Sequence, residues 1–117
     1  EHGGPPETLL RRFIEATLDA HEPHRDLHRV VFTEAPHPPE FHACVLEREE
    51  TLAHLLRDVL ARARPSLPDP DTAAHLIVQT VEALCHRFVD HGIHDLDRDR
   101  FVEEALAMAA GYLDARA

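Results

Sequence analysis

The sequence predicts an all-α domain of five helices, and three observations carry that expectation. Apolar residues recur at spacings of three and four through long stretches of the chain. Nowhere do they alternate with polar ones in the period of two that a half-buried strand requires. Between the periodic stretches stand proline, aspartate and glycine, in the positions that start and stop helices.

Residues 1–6, EHGGPP, read as a flexible or extended lead-in. The domain proper runs over 7–117. Its first helix, 7–21, lines one face with Leu9, Leu10, Phe13, Ile14, Ala16, Thr17 and Ala20, and turns Arg11, Arg12, Glu15 and Asp19 outward. Pro23 restarts the chain as a short second helix, about 23–34, whose Leu27, Val30 and Val31 face inward. Pro36, Pro38 and Pro39 end it. A third helix over roughly 39–63 is about 37 Å long at 1.5 Å per residue. Its inner face is Phe41, Val45, Leu52, Leu55, Leu56, Val59, Leu60 and Ala63.

The stiff connector PSLPDP, 65–70, leads into the helix around which the others are organised. Residues 70–91 open with Asp69 as N-cap, Pro70 at the first helical position and Asp71 in the first turn. They close on His91 and Gly92. Ala73, Ala74, Ile77, Val78, Val81, Leu84, Cys85, Phe88 and Val89 fill close to half the circumference. His75, Gln79, Glu82, His86 and Asp90 form a second strip, and Leu76, Thr80, Ala83 and Arg87 a third. A surface helix needs one apolar stripe and a charged back, so three strips mark a central helix that uses more than one face. After the GIHDL turn, Asp97 caps a last helix of about 98–115, with Phe101, Val102, Ala105, Leu106, Met108, Ala109, Tyr112 and Leu113 apolar.

At 117 residues the chain is one domain, with 44% apolar and 29% charged residues. A formal net charge of −10 argues against gripping nucleic acid or an anionic membrane unaided. No apolar run approaches the roughly 20 residues of a membrane span, and no signal-peptide pattern begins the chain. It starts at Glu1 without an initiator Met, as a trimmed or partial chain does. All 12 basic residues are Arg, so no Lys is available for a Schiff base. Cys44 and Cys85 sit on separate helices and make no C-x-x-C, and a reduced, cytoplasmic setting is the expectation.

The eleven histidines invite a metal reading. His21, His24 and His28, and again His86, His91 and His94, have near-ligand spacings. Pro23 interrupts the first set and Gly92 the second, and no paired cysteines or clustered carboxylates support either. A di-metal bundle wants Glu-x-x-His on two helices, and the one instance, Glu34 to His37, contains Pro36. No metal and no cofactor are expected. Nor is an enzyme. Ser66, the one Ser, sits in a proline connector, and Cys85 and His86 are neighbours that do not face each other on a helix. Glu82 and His86 at i and i+4 read as an ordinary helix ion pair. No phosphate-binding glycine loop occurs.

Two constellations point to binding. Arg48 and Glu49 fall inside the apolar arc of the third helix, where charges must be paired, reach solvent or line a cavity. The helical wheels place a candidate ligand pocket between the first, third and central helices, lined by Phe13, Thr17, Glu49, Leu52, Leu56, Val81, Cys85 and Phe88. Glu49 there favours a cationic or hydrogen-bond-donating ligand. Small residues on the last helix, Ala105, Ala107, Ala109, Ala110 and Gly111, allow close helix approach. With the mixed strip of the central helix they suggest a homodimer seam of Leu76, Gln79, Thr80, Ala83, His86 and Arg87, with Phe101, Ala105 and Met108 nearby.

In order, LLRRFIEATLDAH, HRDLHRVVFTEAP and PEFHACVLEREETLAHLLRDVLARA resemble the C-terminal domain of TetR-family transcriptional repressors. PDPDTAAHLIVQTVEALCHRFVDHG and DRDRFVEEALAMAAGYL continue the likeness through its last two helices, so that it covers about residues 7–115. The motifs are patterns: Glu34-Ala35-Pro36, Val81-Glu82-Ala83-Leu84 and Gly111-Tyr112-Leu113. The resemblance implies a five-helix effector-binding and dimerisation domain whose last two helices pair with their symmetry mates as a four-helix bundle. It also implies a small-molecule effector held within the remaining helices, and operator DNA bound through an N-terminal helix-turn-helix that is absent from this chain. Effector binding then releases the DNA. The family has no fixed ligand motif, so the pocket residues rest on the wheels alone. Two other classes stay open, a His-rich metal-binding helical module and a ligand-free helical adaptor. A melting shift with small apolar compounds, one lost in chelator, and none at all distinguish the three.

Overall fold

The computed structural model describes residues 4–22, 26, 30 and 38–116. Among them are four helices and no strand: α1 Pro5–His21, α2 Pro39–Ala63, α3 Pro70–His91 and α4 Arg98–Arg116. Most of the expected helix over about 23–34, including Leu27 and Val31, lies outside the described residues. Val30 is described, and contrary to the inward place expected of it is 44% exposed.

The termini form where the local chemistry puts them. Helix α1 begins two residues earlier than expected, because Pro5 and Pro6 suit a first turn, where the N–H that proline lacks would have no acceptor within the helix. At α3 the Asp69 carboxylate accepts from the Thr72 N–H at 3.1 Å, and at α4 the Asp97 carboxylate accepts from the Arg100 N–H at 2.8 Å. Gly92 ends α3 at φ 73° and ψ 167°, a backbone region that is essentially glycine's alone, while its N–H donates to Phe88 O at 2.9 Å.

Helices α1 and α3 form the middle of the bundle and each touches the other three; α2 and α4 lie on the flanks. The apolar arc of α3 is buried as its periodicity demands, with Leu84 alone half-exposed. On α1 the buried line is Leu10, Ile14, Thr17 and Leu18, so the face is turned towards Leu18, and Ala16 and Ala20 are exposed. The Thr17 hydroxyl is satisfied within its own helix, donating to Phe13 O at 2.8 Å. On α2 the buried residues are Ala53, Leu56 and Leu60, and Leu55 and Ala63 are exposed. The first half of α2, before Ala53, carries no buried residue.

Charged side chains tie the helix ends together. Arg64, at the end of α2, donates to Glu7 on α1 at 3.3 Å and to Asp114 on α4 at 2.7 Å. Arg98, at the start of α4, reaches Asp19 at 2.6 Å and Glu22 at 2.8 Å near the end of α1. Between α3 and α4 the rings of Phe88 and Phe101 stack with centroids 4.4 Å apart and planes inclined by 10°. Gly111 lies in the interior of α4 on its exposed side, and a Cβ placed on it would meet nothing within 4 Å.

Candidate functional site

Two features stand out on this frame, an apolar groove and a polar cleft. The groove runs between α3 and α4 and encloses about 260 Å³. Its lining is Leu76, Ile77, Thr80, Val81, Leu84, Ala105, Met108, Ala109 and Tyr112. Leu76 and Met108 stand at 51% and 59% exposure. Two large apolar side chains bordering one apolar groove make a continuous patch, the kind of surface that marks an interaction site.

The polar cleft lies along α2 and α3. Its two lobes, of about 120 and 260 Å³, share Glu49. In the smaller lobe Glu82 is 4% exposed, and both its carboxylate oxygens accept from Arg48 Nη1, at 3.1 and 3.0 Å. His86 Nε2 stands 3.8 Å from the same carboxylate. Burial works against ionising Glu82, but the nearby His86 imidazole and the Arg48 charge outweigh it and hold the carboxyl below its ordinary value. Glu49 goes the other way: burial first, then the neighbouring Glu82 charge, raise it, against opposing pulls from His86 and Arg48. Two carboxylates side by side are thus set apart by which of them holds the cation. Cys85, buried beneath, is pushed up to about 12 by burial and by Glu82, and is no nucleophile at neutral pH.

A Glu82→Gln chain should lose about 1–3 kcal/mol at pH 7, because a charge-assisted hydrogen bond is replaced by a weaker one at a buried position. A depressed carboxylate contributes stability that is fully present above its unfolded pKa and lost as pH falls through the folded one. The deficit of the variant should therefore shrink below the ordinary value of 4.5. Urea denaturation at pH 7 and in that acidic window checks it; a pH-independent deficit would remove the ionic role of Glu82.

The eight residues expected to line one pocket do not converge. Phe13, Leu52 and Leu56 border a space of about 30 Å³ between α1, α2 and α3, with room for about a water or two and not for a drug-sized ligand. Thr17 and Cys85 are buried. Val81 faces the α3–α4 groove, and Phe88 is held by its stack on Phe101. Glu49 alone lines the polar cleft. The reason is the pitch of α3: its apolar arc is wide enough to serve two neighbours, and residues at its two edges turn to different helices.

Of the residues expected at a seam, Leu76, Thr80, Ala105 and Met108 line the apolar groove, while Ala83 and Arg87 are exposed. Gln79 and His86 border the polar cleft instead, and Phe101 is in the core at 3% exposure. A further cluster joins two helices and is not evident from either helix alone. Glu50 and His54, one turn apart on α2, meet His75 of α3, with His75 Nε2 3.0 Å from Glu50 Oε2 and His54 Nε2 3.3 Å from Glu50 Oε1. The Glu50–His54 spacing of four was visible in the sequence; that the polar strip of α3 would deliver His75 to it was not.

No curated protein and no solved structure matches the chain with significance. A family model, the tetracyclin repressor-like C-terminal domain, matches residues 5–113. That span takes in α1, α2 and α3, all but the end of α4, and both clefts just described. The chain belongs to the TetR-like C-terminal domain family.

Proposed function

We propose that this chain is the effector-binding and dimerisation domain of a TetR-like transcriptional repressor of the cytoplasm. In the intact protein, a small molecule bound here is coupled to release of operator DNA held by an N-terminal helix-turn-helix. The role is regulatory and not catalytic. The observation that carries the reading is the apolar groove between α3 and α4, with Leu76 and Met108 exposed at its rim. Two copies that bury this patch against each other across a two-fold axis form a four-helix bundle from their last two helices. The effector then belongs to the cleft on the other side of α3. Glu49 lies between its two lobes, and Phe41 and Val45 supply apolar walls. A carboxylate with its pKa raised by burial and by Glu82 gains most from a ligand that is cationic or donates a hydrogen bond.

Sedimentation velocity and melting curves with a panel of small cationic and neutral compounds test the reading. A dimer at micromolar concentration is expected, together with a melting shift for cationic compounds that Glu49→Gln reduces. A monomer across that range would overturn the dimerisation role. A shift that survives Glu49→Gln undiminished would place the effector elsewhere.

A further inference from the structure

The polar strip of α3 carries a second possibility at the larger lobe of the cleft, whose lining includes Glu50 and His75. One donor atom from each of Glu50, His54 and His75 can be chosen so that all three lie within 4.8 Å of one another. A tetrahedral divalent ion, bound at about 2.0–2.1 Å to nitrogen and oxygen, holds its ligands about 3.3 Å apart along each edge. His75 Nε2 stands 3.0 Å from Glu50 Oε2 and His54 Nε2 3.3 Å from Glu50 Oε1, so each imidazole already lies near that edge length from one of the two carboxylate oxygens, and with a single oxygen as ligand the set closes within 4.8 Å. Two of the three ligands sit one turn apart on a single helix, so the backbone of α2 sets their spacing. The third comes from the neighbouring helix.

The orientation of His75 fits as well. Its Nδ1 lies 2.8 Å from Asp71 O, and a carbonyl oxygen only accepts, so Nδ1 carries the hydrogen and donates it. That bond fixes the ring and presents Nε2 to Glu50 and His54, the arrangement in which a histidine is offered to a metal with its other nitrogen anchored to backbone. The Asp71 carboxylate, 3.5 Å from the same Nδ1, adds negative potential behind the ring. Glu50 and His54 are exposed, which gives an ion a path in from solvent.

We propose that Glu50, His54 and His75 form a transition-metal site of the zinc class that bridges α2 and α3. Two imidazoles and one carboxylate suit Zn²⁺ or Co²⁺, whereas Mg²⁺ and Ca²⁺ call for oxygen ligands throughout. Three protein ligands leave a fourth position for water, the pattern of an open site and not of a closed structural one. The site rests neither on dimer formation nor on an organic effector. Bound metal ties the first exposed half of α2 to the best-buried helix of the fold.

Zinc titration of the full chain in a Cys44→Ser background, followed by calorimetry and by melting, tests the site. One zinc per chain should bind to it, and at a hundredfold excess over Kd the melting temperature should rise by about 10 °C and return with chelator. His54→Ala, at an exposed position, and His75→Ala, at a half-buried one, should each weaken binding by at least tenfold and remove most of the shift. His91→Ala should change neither. Cobalt should give the intense visible bands of tetrahedral coordination, lost in His75→Ala. Absence of a zinc-dependent shift, or a shift that persists in both the His54 and the His75 variant, would overturn the proposal and leave the cluster as a pair of ordinary histidine–carboxylate contacts.

Discussion

An Ala83→Arg chain is expected to run as a monomer at micromolar concentration in light scattering, where the unaltered chain is expected to run as a dimer. Ala83 is exposed on the strip of α3 that also carries Leu76, Thr80 and Arg87. At a helix crossing its methyl group permits close approach, and an arginine there forces the helices apart. It also sets like charges near the two-fold axis, beside Arg87 of each copy. Overpacking and unpaired charge together should cost roughly 3 kcal/mol of association, about a hundredfold in Kd. The fold itself should hardly notice, since a surface substitution on a helix usually stays within about 0.5 kcal/mol. Loss of the dimer, with a melting temperature that matches the dissociated unaltered chain and no longer rises with concentration, is therefore the signature. A variant that remains a tight dimer would mean that the seam lies on another face.

Phe101→Ala should do the opposite, leaving the surface alone and weakening the fold by about 3–5 kcal/mol. The ring is buried at 3% exposure and stacked on Phe88 at a centroid separation of 4.4 Å. Removing it leaves a cavity between α3 and α4, since Phe88 is pinned by the same core and has little room to follow. A domain of this size has about 5–15 kcal/mol in total, so urea denaturation should show a large fall in midpoint. A loss below about 1 kcal/mol would show that the two rings do not share a packed interior.

The two substitutions bracket what could be read in advance. Helix α3 was legible almost residue by residue, because Asp69, Pro70 and Gly92 fix its ends and its apolar arc is uninterrupted. On helix α1 the periodicity puts the small Ala16 and Ala20 on the core face, whereas in the structure both are exposed and Leu18, the larger apolar side chain, is buried. Burial follows the side chains with most apolar area to hide, and Leu18 outweighs both. The charges inside the arc of α2 posed a question that periodicity alone leaves open. Arg48 answered it by reaching across to Glu82, a partner on another helix that only the packing of α2 on α3 supplies. Phe101, expected near a seam and found stacked on Phe88, and His75, expected only as part of a polar strip and found against Glu50, follow the same pattern. A helical wheel tells which residues share a face, and it says nothing of which neighbour that face meets.

Gly111 carries a different kind of information. Inside a helix, glycine is less favourable than alanine by roughly 1 kcal/mol, because the unfolded chain has more freedom to lose. Here a methyl group would meet nothing within 4 Å, so the lone fold gains no contact in return for the glycine. Gly111→Ala should raise the melting temperature of the dissociated chain by about 4 °C or more. If a partner helix lies against this side of α4, the same methyl group stands in its way and the associated form loses. The two effects act on different equilibria, and only one of them depends on concentration. Melting temperature plotted against concentration should then show the variant above the unaltered chain in dilute solution and below it in concentrated solution, a crossing that no purely intramolecular change can produce.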